Sequence, residues 1–155
     1  MAELWLLRHG DAEPDAPTDA ERRLTPKGGR QGRAAGAALA AEGVRFAAVF
    51  SSPRVRALDT ARLACEALGI EPIVHEPLSG GFDAEEARAL LQSEPVLLVG
   101  HEPDFSGIVA DLTGGRIDLK KGGIAAVRVE GSRGELRVLL RPAELELMAQ
   151  GAGET

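Results

Sequence analysis

The chain has no tyrosine, one tryptophan and a single cysteine, Cys65, among its 155 residues. Without a second cysteine no intrachain disulfide can form. Aromatic residues make up only 3%, so the core has to be built from the Leu, Val, Ile and Ala that dominate the 44% apolar fraction. No apolar run approaches the ~20 residues that a membrane-spanning helix needs. The N-terminus has no basic stretch followed by an apolar run of signal length. A cytoplasmic protein is the expectation. An excess of positive charge is also missing: 18 Lys and Arg stand against 24 Asp and Glu, a net charge of -6. General nucleic-acid binding rests on a basic footprint and is thereby excluded. A local cationic pocket is not, because net charge says nothing about local fields.

The length fits one domain able to bury its own core. Residues 1–150 are expected to form it, with 151–155 a loose tail. Short apolar runs at residues 2–7, 46–50, 70–74 and 95–99 read as strands. Thr25-Pro26 and Ser51-Ser52-Pro53 carry the cap-plus-proline signature of helix starts. The first of these helices runs to a stop at Gly43 and the second to Gly69. Gly29, Gly32 and Gly36 in the first weaken it or mark close packing against the sheet. Residues 11–24 and 75–82 read as loops. Asp83 can cap a helix through Leu91, and another follows Gly100-His101-Glu102-Pro103 to about Leu112. Residues 125–129 and 136–140 read as a hairpin around Gly131 and Gly134. Alternating strands and helices predict an α/β fold: three layers, helices on both faces of a mostly parallel sheet, with an antiparallel C-terminal edge.

In such a sheet ligands bind beyond the C-terminal ends of the strands. Arg8 and His9 follow the first strand, Arg54 and Arg56 the second, and His101 the fourth. Each Arg offers a planar fork of donors that matches phosphate oxygens. A neutral imidazole is a nucleophile toward phosphorus, and a second, protonated imidazole can donate to phosphoryl oxygens. Any one of these residues alone is more often structural or solvated. His75, Arg62 and Arg88 are read that way, Lys120 and Lys121 as solvated or at the pocket rim, and Cys65 as a small buried residue. Convergence at three strand ends lifts Arg8, His9 and His101 above that background. On spacing alone Arg54 and Arg56 compete for one role.

Four segments in order resemble the histidine phosphatase superfamily: Arg8-His9-Gly10, Leu24-Thr25-Pro26-Lys27-Gly28, residues 51–61 from Ser51-Ser52-Pro53 through Arg56-Ala57 to Thr60-Ala61, and Val99-Gly100-His101-Glu102-Pro103. The resemblance covers nearly the whole chain. Arg8-His9-Gly10-Asp11-Ala12, Lys120-Lys121-Gly122-Gly123 and the short length are most similar to the SixA-type phosphohistidine phosphatases. The resemblance implies a phosphoglycerate mutase-like fold, with His9 as the nucleophile that becomes phosphorylated. It makes Arg8 and Arg56, rather than Arg54, the phosphoryl ligands, and His101 the second pocket histidine. No cofactor or metal is implied, and a monomer acting on a phosphorylated protein is expected.

Many members of the superfamily carry a carboxylate after the third strand as general acid. Residues 77–82 here contain none. Asp83 is read as a helix cap, and Asp11 and Glu13 are loop carboxylates. An alkoxide leaves poorly without a proton, whereas imidazole is a better leaving group, so the gap agrees with a phosphohistidine substrate. The alternatives are a small-molecule phosphomonoesterase using Asp11, Glu13 or Asp83, a mutase, and a catalytically weak phosphate-binding module. A metal hydrolase built on His9, Asp11 and His101 is disfavoured by the charge of the neighbouring arginines.

Overall fold

A computed structural model describes residues 1–153. Six strands form one sheet in the order β3-β2-β4-β1-β5-β6. They are β1 (Ala2–Arg8), β2 (Ala48–Ser51), β3 (Pro72–Val74), β4 (Val96–Gly100), β5 (Ile124–Glu130) and β6 (Arg133–Leu140). The first four run parallel, β1 against β4, β4 against β2, and β2 against β3. β5 joins β1 antiparallel, and β6 closes the hairpin onto β5. The expected mostly parallel sheet with an antiparallel C-terminal edge is what forms.

Alternation along β1 separates two cores. Leu4 and Leu6 pack with Phe105, Ile108 and Leu78 on one face. Trp5 and Leu7 pack with Leu39, Ala61 and Leu145 on the other. Helices α3 (Ala84–Ala89) and α4 (Asp104–Thr113) cover the first face. Helices α1 (Pro26–Ala41), α2 (Val55–Leu68) and α5 (Pro142–Gly153) cover the second. Three layers result. Among the described residues no helix is long and apolar enough to cross a membrane.

Thr25 caps α1 by accepting a hydrogen bond from the Gly28 amide at 3.0 Å. The glycines of α1 mark close packing, but against a helix and a loop rather than the sheet. A side chain on Gly36 would run into the Ala64 carbonyl of α2, and one on Gly28 into the Asp11 carbonyl. The α1 start is thereby pressed against the segment that follows His9.

Several boundaries differ from the sequence reading. β3 begins at Pro72, and residues 76–79 form a 3-10 turn within the expected loop. α4 begins at Asp104, and Glu102 accepts from the Ser106 amide at 2.7 Å in its first turn. α5 was not anticipated at all. Residues 151–153, expected as loose tail, continue this helix, while 154 and 155 lie outside the described residues.

Candidate active site

The three motif-bearing strands are direct neighbours in the sheet, in the order β2-β4-β1. Arg8 pairs with Gly100, and Ser51 with Val99, so the strands end at one level. The His9 amide donates to the Gly100 carbonyl at 3.0 Å, and the Ser52 amide to the Val99 carbonyl at 3.0 Å. His9 and His101 consequently face each other, ring centroids 5.2 Å apart. His9, Arg56 and His101 are all buried, at 6%, 7% and 7% exposure. Arg8 is half-buried. Arg8, His9, Arg56 and His101 are thus brought together as the sequence predicted.

The hydrogen bonds fix what each ring nitrogen can do. His9 Nδ1 lies 2.7 Å from the Gly10 carbonyl oxygen. A carbonyl only accepts, so Nδ1 carries the proton and Nε2 keeps a lone pair. His101 Nε2 lies 2.7 Å from the Ser52 hydroxyl. That hydroxyl already accepts from the Arg54 amide at 3.2 Å. Its own proton can then go to His101 Nε2, which leaves Nδ1–H as a free donor. Among the described residues, the buried side-chain nitrogens without a partner are His101 Nδ1, Arg8 Nε and Arg56 Nε. Buried donors are normally satisfied. Three unsatisfied ones around a single imidazole make a receptor for an oxyanion.

The surroundings lock this receptor in place. Gly10 donates to Thr60 Oγ1 at 3.0 Å, and Thr60 Oγ1 donates to the Arg56 carbonyl at 2.7 Å. Arg8 Nη1 donates to the Leu119 carbonyl at 2.9 Å. The turn that follows is fastened to the nucleophile strand, with the Gly122 amide donating to the Arg8 and His9 carbonyls at 3.0 and 2.9 Å. Gly122 has φ +78°, which a side chain would strain. Lys121 is held near the site by Asp11, 3.8 Å away, while Lys120 pairs with Asp118 outside it.

The carboxylates considered from sequence separate clearly. Asp83 caps α3, accepting from the Glu86 amide at 2.9 Å. Asp11 Oδ2 accepts from Thr25 at 2.8 Å and Oδ1 faces Lys121. Glu13 is exposed in its loop. Arg54 is turned outward, donating from Nε to the Ser79 carbonyl at 2.7 Å. His75 packs edge-on against Phe50 and Phe82. Cys65 is buried, and burial pushes its thiol up to about 11, so it is inert as a nucleophile. Among the described residues no three His, Cys, Asp or Glu side chains cluster as metal ligands. Asp19 was missed. It sits in a 3-10 turn, Asp19–Glu21, and engages Arg22, Arg54 and Arg56 together. Only its three-residue spacing from Arg22 was visible in the chain.

Burial holds both imidazoles neutral. His9 falls from 6.5 to about 4, through burial first and then the charges of Arg56, Arg8 and Lys121, against an opposing hydrogen bond to Gly10. His101 falls to about 3, through burial, His9, Arg56 and Arg54. His101 therefore donates as a neutral ring. Because the unfolded chain binds these protons first, stability contributed by the neutral rings is complete above pH 6.5. It is lost progressively as pH falls from 6.5 to about 4 for His9, by about 3 kcal/mol, and on to about 3 for His101. An NMR titration of the imidazole nitrogens is expected to place the His9 midpoint near 4, with thermal stability already falling as pH drops from 6.5 toward that midpoint. A midpoint at 6 to 7 would contradict the buried geometry.

A three-layer α/β fold with an oxyanion receptor at its strand ends fits a phosphatase, and the comparisons with known proteins agree. The model of the histidine phosphatase superfamily (branch 1) matches residues 4–80. An uncharacterized protein of Picosynechococcus sp. is 34% identical over 144 residues, covering 84% of this chain and 87% of that protein. The structure of the protein histidine phosphatase SixA complexed with tungstate superposes with a TM-score of 0.84 at 26% identity, covering 92% of this chain and 99% of that one. A phosphoserine phosphatase from Entamoeba histolytica, solved with 3-phosphoglyceric acid, shares the fold at a TM-score of 0.73 and 19% identity, over 94% and 100% of the two chains. The chain belongs to the histidine phosphatase superfamily.

Proposed function

We propose that this protein is a cytoplasmic phosphohistidine phosphatase working through a phosphorylated His9. The observation that carries the reading is the set of unpartnered buried donors, Arg8 Nε, Arg56 Nε and His101 Nδ1, around His9. In the first step the His9 Nε2 lone pair attacks phosphorus. The P–Nε2 bond forms and the P–N bond of a substrate ring whose other nitrogen carries a proton breaks, so its electron pair leaves on a neutral imidazole. Charge on the equatorial oxygens is met by the two guanidinium groups and the His101 N–H, and positioning supplies most of the catalysis. In the second step water attacks the phosphorus of phospho-His9, releasing inorganic phosphate and the neutral ring. The low proton affinity of His9 keeps its lone pair available at neutral pH.

The choice of substrate rests on the carboxylates. Asp83 is committed to its helix, Asp11 to Thr25 and Lys121, and Asp19 to three arginines. None of these three is left as a free acid for an alcohol leaving group, while Glu13 is an exposed loop carboxylate. The related SixA structure holds tungstate, a tetrahedral oxyanion like phosphate. The second reading, a small-molecule phosphomonoesterase, is favoured by fold likeness to phosphatases of small molecules such as the phosphoserine phosphatase. A panel of a phosphohistidine protein, a phosphoserine peptide and sugar phosphates decides between them. Phosphohistidine is expected to give the highest kcat/KM, by about a hundredfold, the order of what general acid catalysis supplies. Faster cleavage of the esters would overturn the assignment in favour of the second reading.

A further inference from the structure

The loop over residues 12–24 is an ordered strap. Its neck is closed by the bridge between Ala12 and Leu24 and by the Glu13 amide donating to the Arg23 carbonyl at 2.7 Å. Its far end reaches the start of α2 through one residue. The Asp19 carbonyl accepts from Arg56 Nη1 at 2.8 Å, and Asp19 Oδ2 accepts from Arg56 Nη2 at 3.1 Å. The same oxygen pairs with Arg54 Nη1, while Oδ1 takes Arg22 Nη1 at 3.1 Å. Arg22 Nε in turn donates to the Glu13 carbonyl at 2.7 Å, tying the strap to itself.

A guanidinium has two usable forks, end-on through Nη1 and Nη2 and side-on through Nε. Asp19 occupies the end-on fork of Arg56 from outside. The Nε that remains is buried and unpartnered, as are His101 Nδ1 and Arg8 Nε. An arginine held at its tip can rotate little, so the direction of its side-on fork is fixed. Arg56 is nearly buried, whereas the Asp19 side chain is 56% exposed. An exposed carboxylate of this kind contributes little to folding by its ion pairs. Its contact is better explained by what it does to the arginine. The geometry assigns to Asp19 a role as positioning residue: it fixes the Arg56 guanidinium so that Nε faces the phosphoryl group. This rests on the proposed phosphoryl transfer to His9.

A double-mutant cycle tests the assignment. Asp19→Ala and Asp19→Asn are made with Arg56 intact and again with Arg56→Ala. Each protein is assayed for kcat/KM on a phosphohistidine protein and for affinity toward inorganic phosphate. With Arg56 present, Asp19→Ala is expected to lower kcat/KM and phosphate affinity by about ten- to a hundredfold, the scale of a hydrogen bond to a charged group. Asp19→Asn is expected to fall between Asp19→Ala and the unaltered chain. In the Arg56→Ala background either change is expected to cost less than about twofold, because coupled residues are not additive. Equal losses in both backgrounds, or no loss with Arg56 present, would overturn the positioning role. If Asp19→Ala lowers the melting temperature, Asp19→Asn preserves the size of the residue and gives the answer. His9→Ala separates the two claims. If it is inactive while the Asp19 variants behave like the unaltered chain, only the positioning role fails. If it stays active, the catalytic reading fails, and the cycle on phosphate affinity still decides the role of Asp19.

Discussion

His9→Ala is expected to lower turnover of a phosphohistidine protein by about a thousandfold or more, since removing a covalent nucleophile removes the reaction path and not merely one contact to it. The site has no substitute for the missing lone pair. His101 points a proton-bearing Nδ1 inward, and its Nε2 is taken up by Ser52. Arg8 and Arg56 carry donors only. Asp19 is bound by three arginines and its acceptor oxygens face them. The receptor itself survives the change, because Arg8, Arg56 and His101 do not depend on the His9 ring for their main contacts. Inorganic phosphate should therefore bind within about tenfold of its original affinity, as for a site that loses one hydrogen-bonding group. The covalent label should disappear: brief exposure to substrate marks the unaltered protein with an acid-labile, alkali-stable phosphoryl group and leaves His9→Ala unmarked. Retention of even a tenth of the turnover, or of the label, would remove His9 from the centre of the chemistry.

The pocket was legible in the sequence because its parts are local and its assembly is topological. Arg8-His9-Gly10 needs only the end of a strand, and Ser52 and Arg56 need only the start of a helix. Parallel strands then bring such ends to one edge, and the sheet order β2-β4-β1 makes them neighbours. What could not be read depends on long-range approach. Asp19 meets Arg54 and Arg56 across 35 and 37 positions, after a polar loop without periodicity closes on itself. The glycines of α1 announced a close neighbour but not its identity, which proved to be Ala64 of α2 and the chain after His9. α5 was lost for a different reason. Leu145 is buried and Met148 partly so, but Leu147 between them is largely exposed, and Gly151 and Gly153 are poor helix formers. A start signal was present in Arg141-Pro142 and Glu144, where the Glu144 side chain accepts from the Arg141 amide at 2.8 Å. Packing of Leu145 among Trp5, Leu7 and Leu39, rather than helix propensity, makes that segment a helix.

Arg56→Lys separates charge from shape at the phosphoryl site. If the pocket needed only a positive charge, lysine would serve, since its ammonium is a point charge on a stem of similar reach. The geometry demands more. Arg56 satisfies the Asp19 carbonyl and carboxylate at its tip while leaving Nε for the phosphoryl group. A single ammonium cannot hold both directions, and it resists leaving water for a buried position more strongly than a guanidinium does. Arg56→Lys is therefore expected to lose about a hundredfold in kcat/KM, and Arg56→Ala about a thousandfold or more, the scale of removing an arginine that stabilises phosphoryl transfer. Stability should change less than activity. The partner carboxylate is exposed and can be solvated when the arginine is gone, so no buried charge is stranded. Thermal melting alongside steady-state kinetics checks this. Near-normal kinetics for Arg56→Lys would show that the fork, and with it the Asp19 clamp, contributes nothing beyond charge. A loss confined to KM would place Arg56 in ground-state binding alone. A loss in both kcat and kcat/KM is the outcome expected of a donor whose hydrogen bond strengthens as charge spreads over the equatorial oxygens in the transition state.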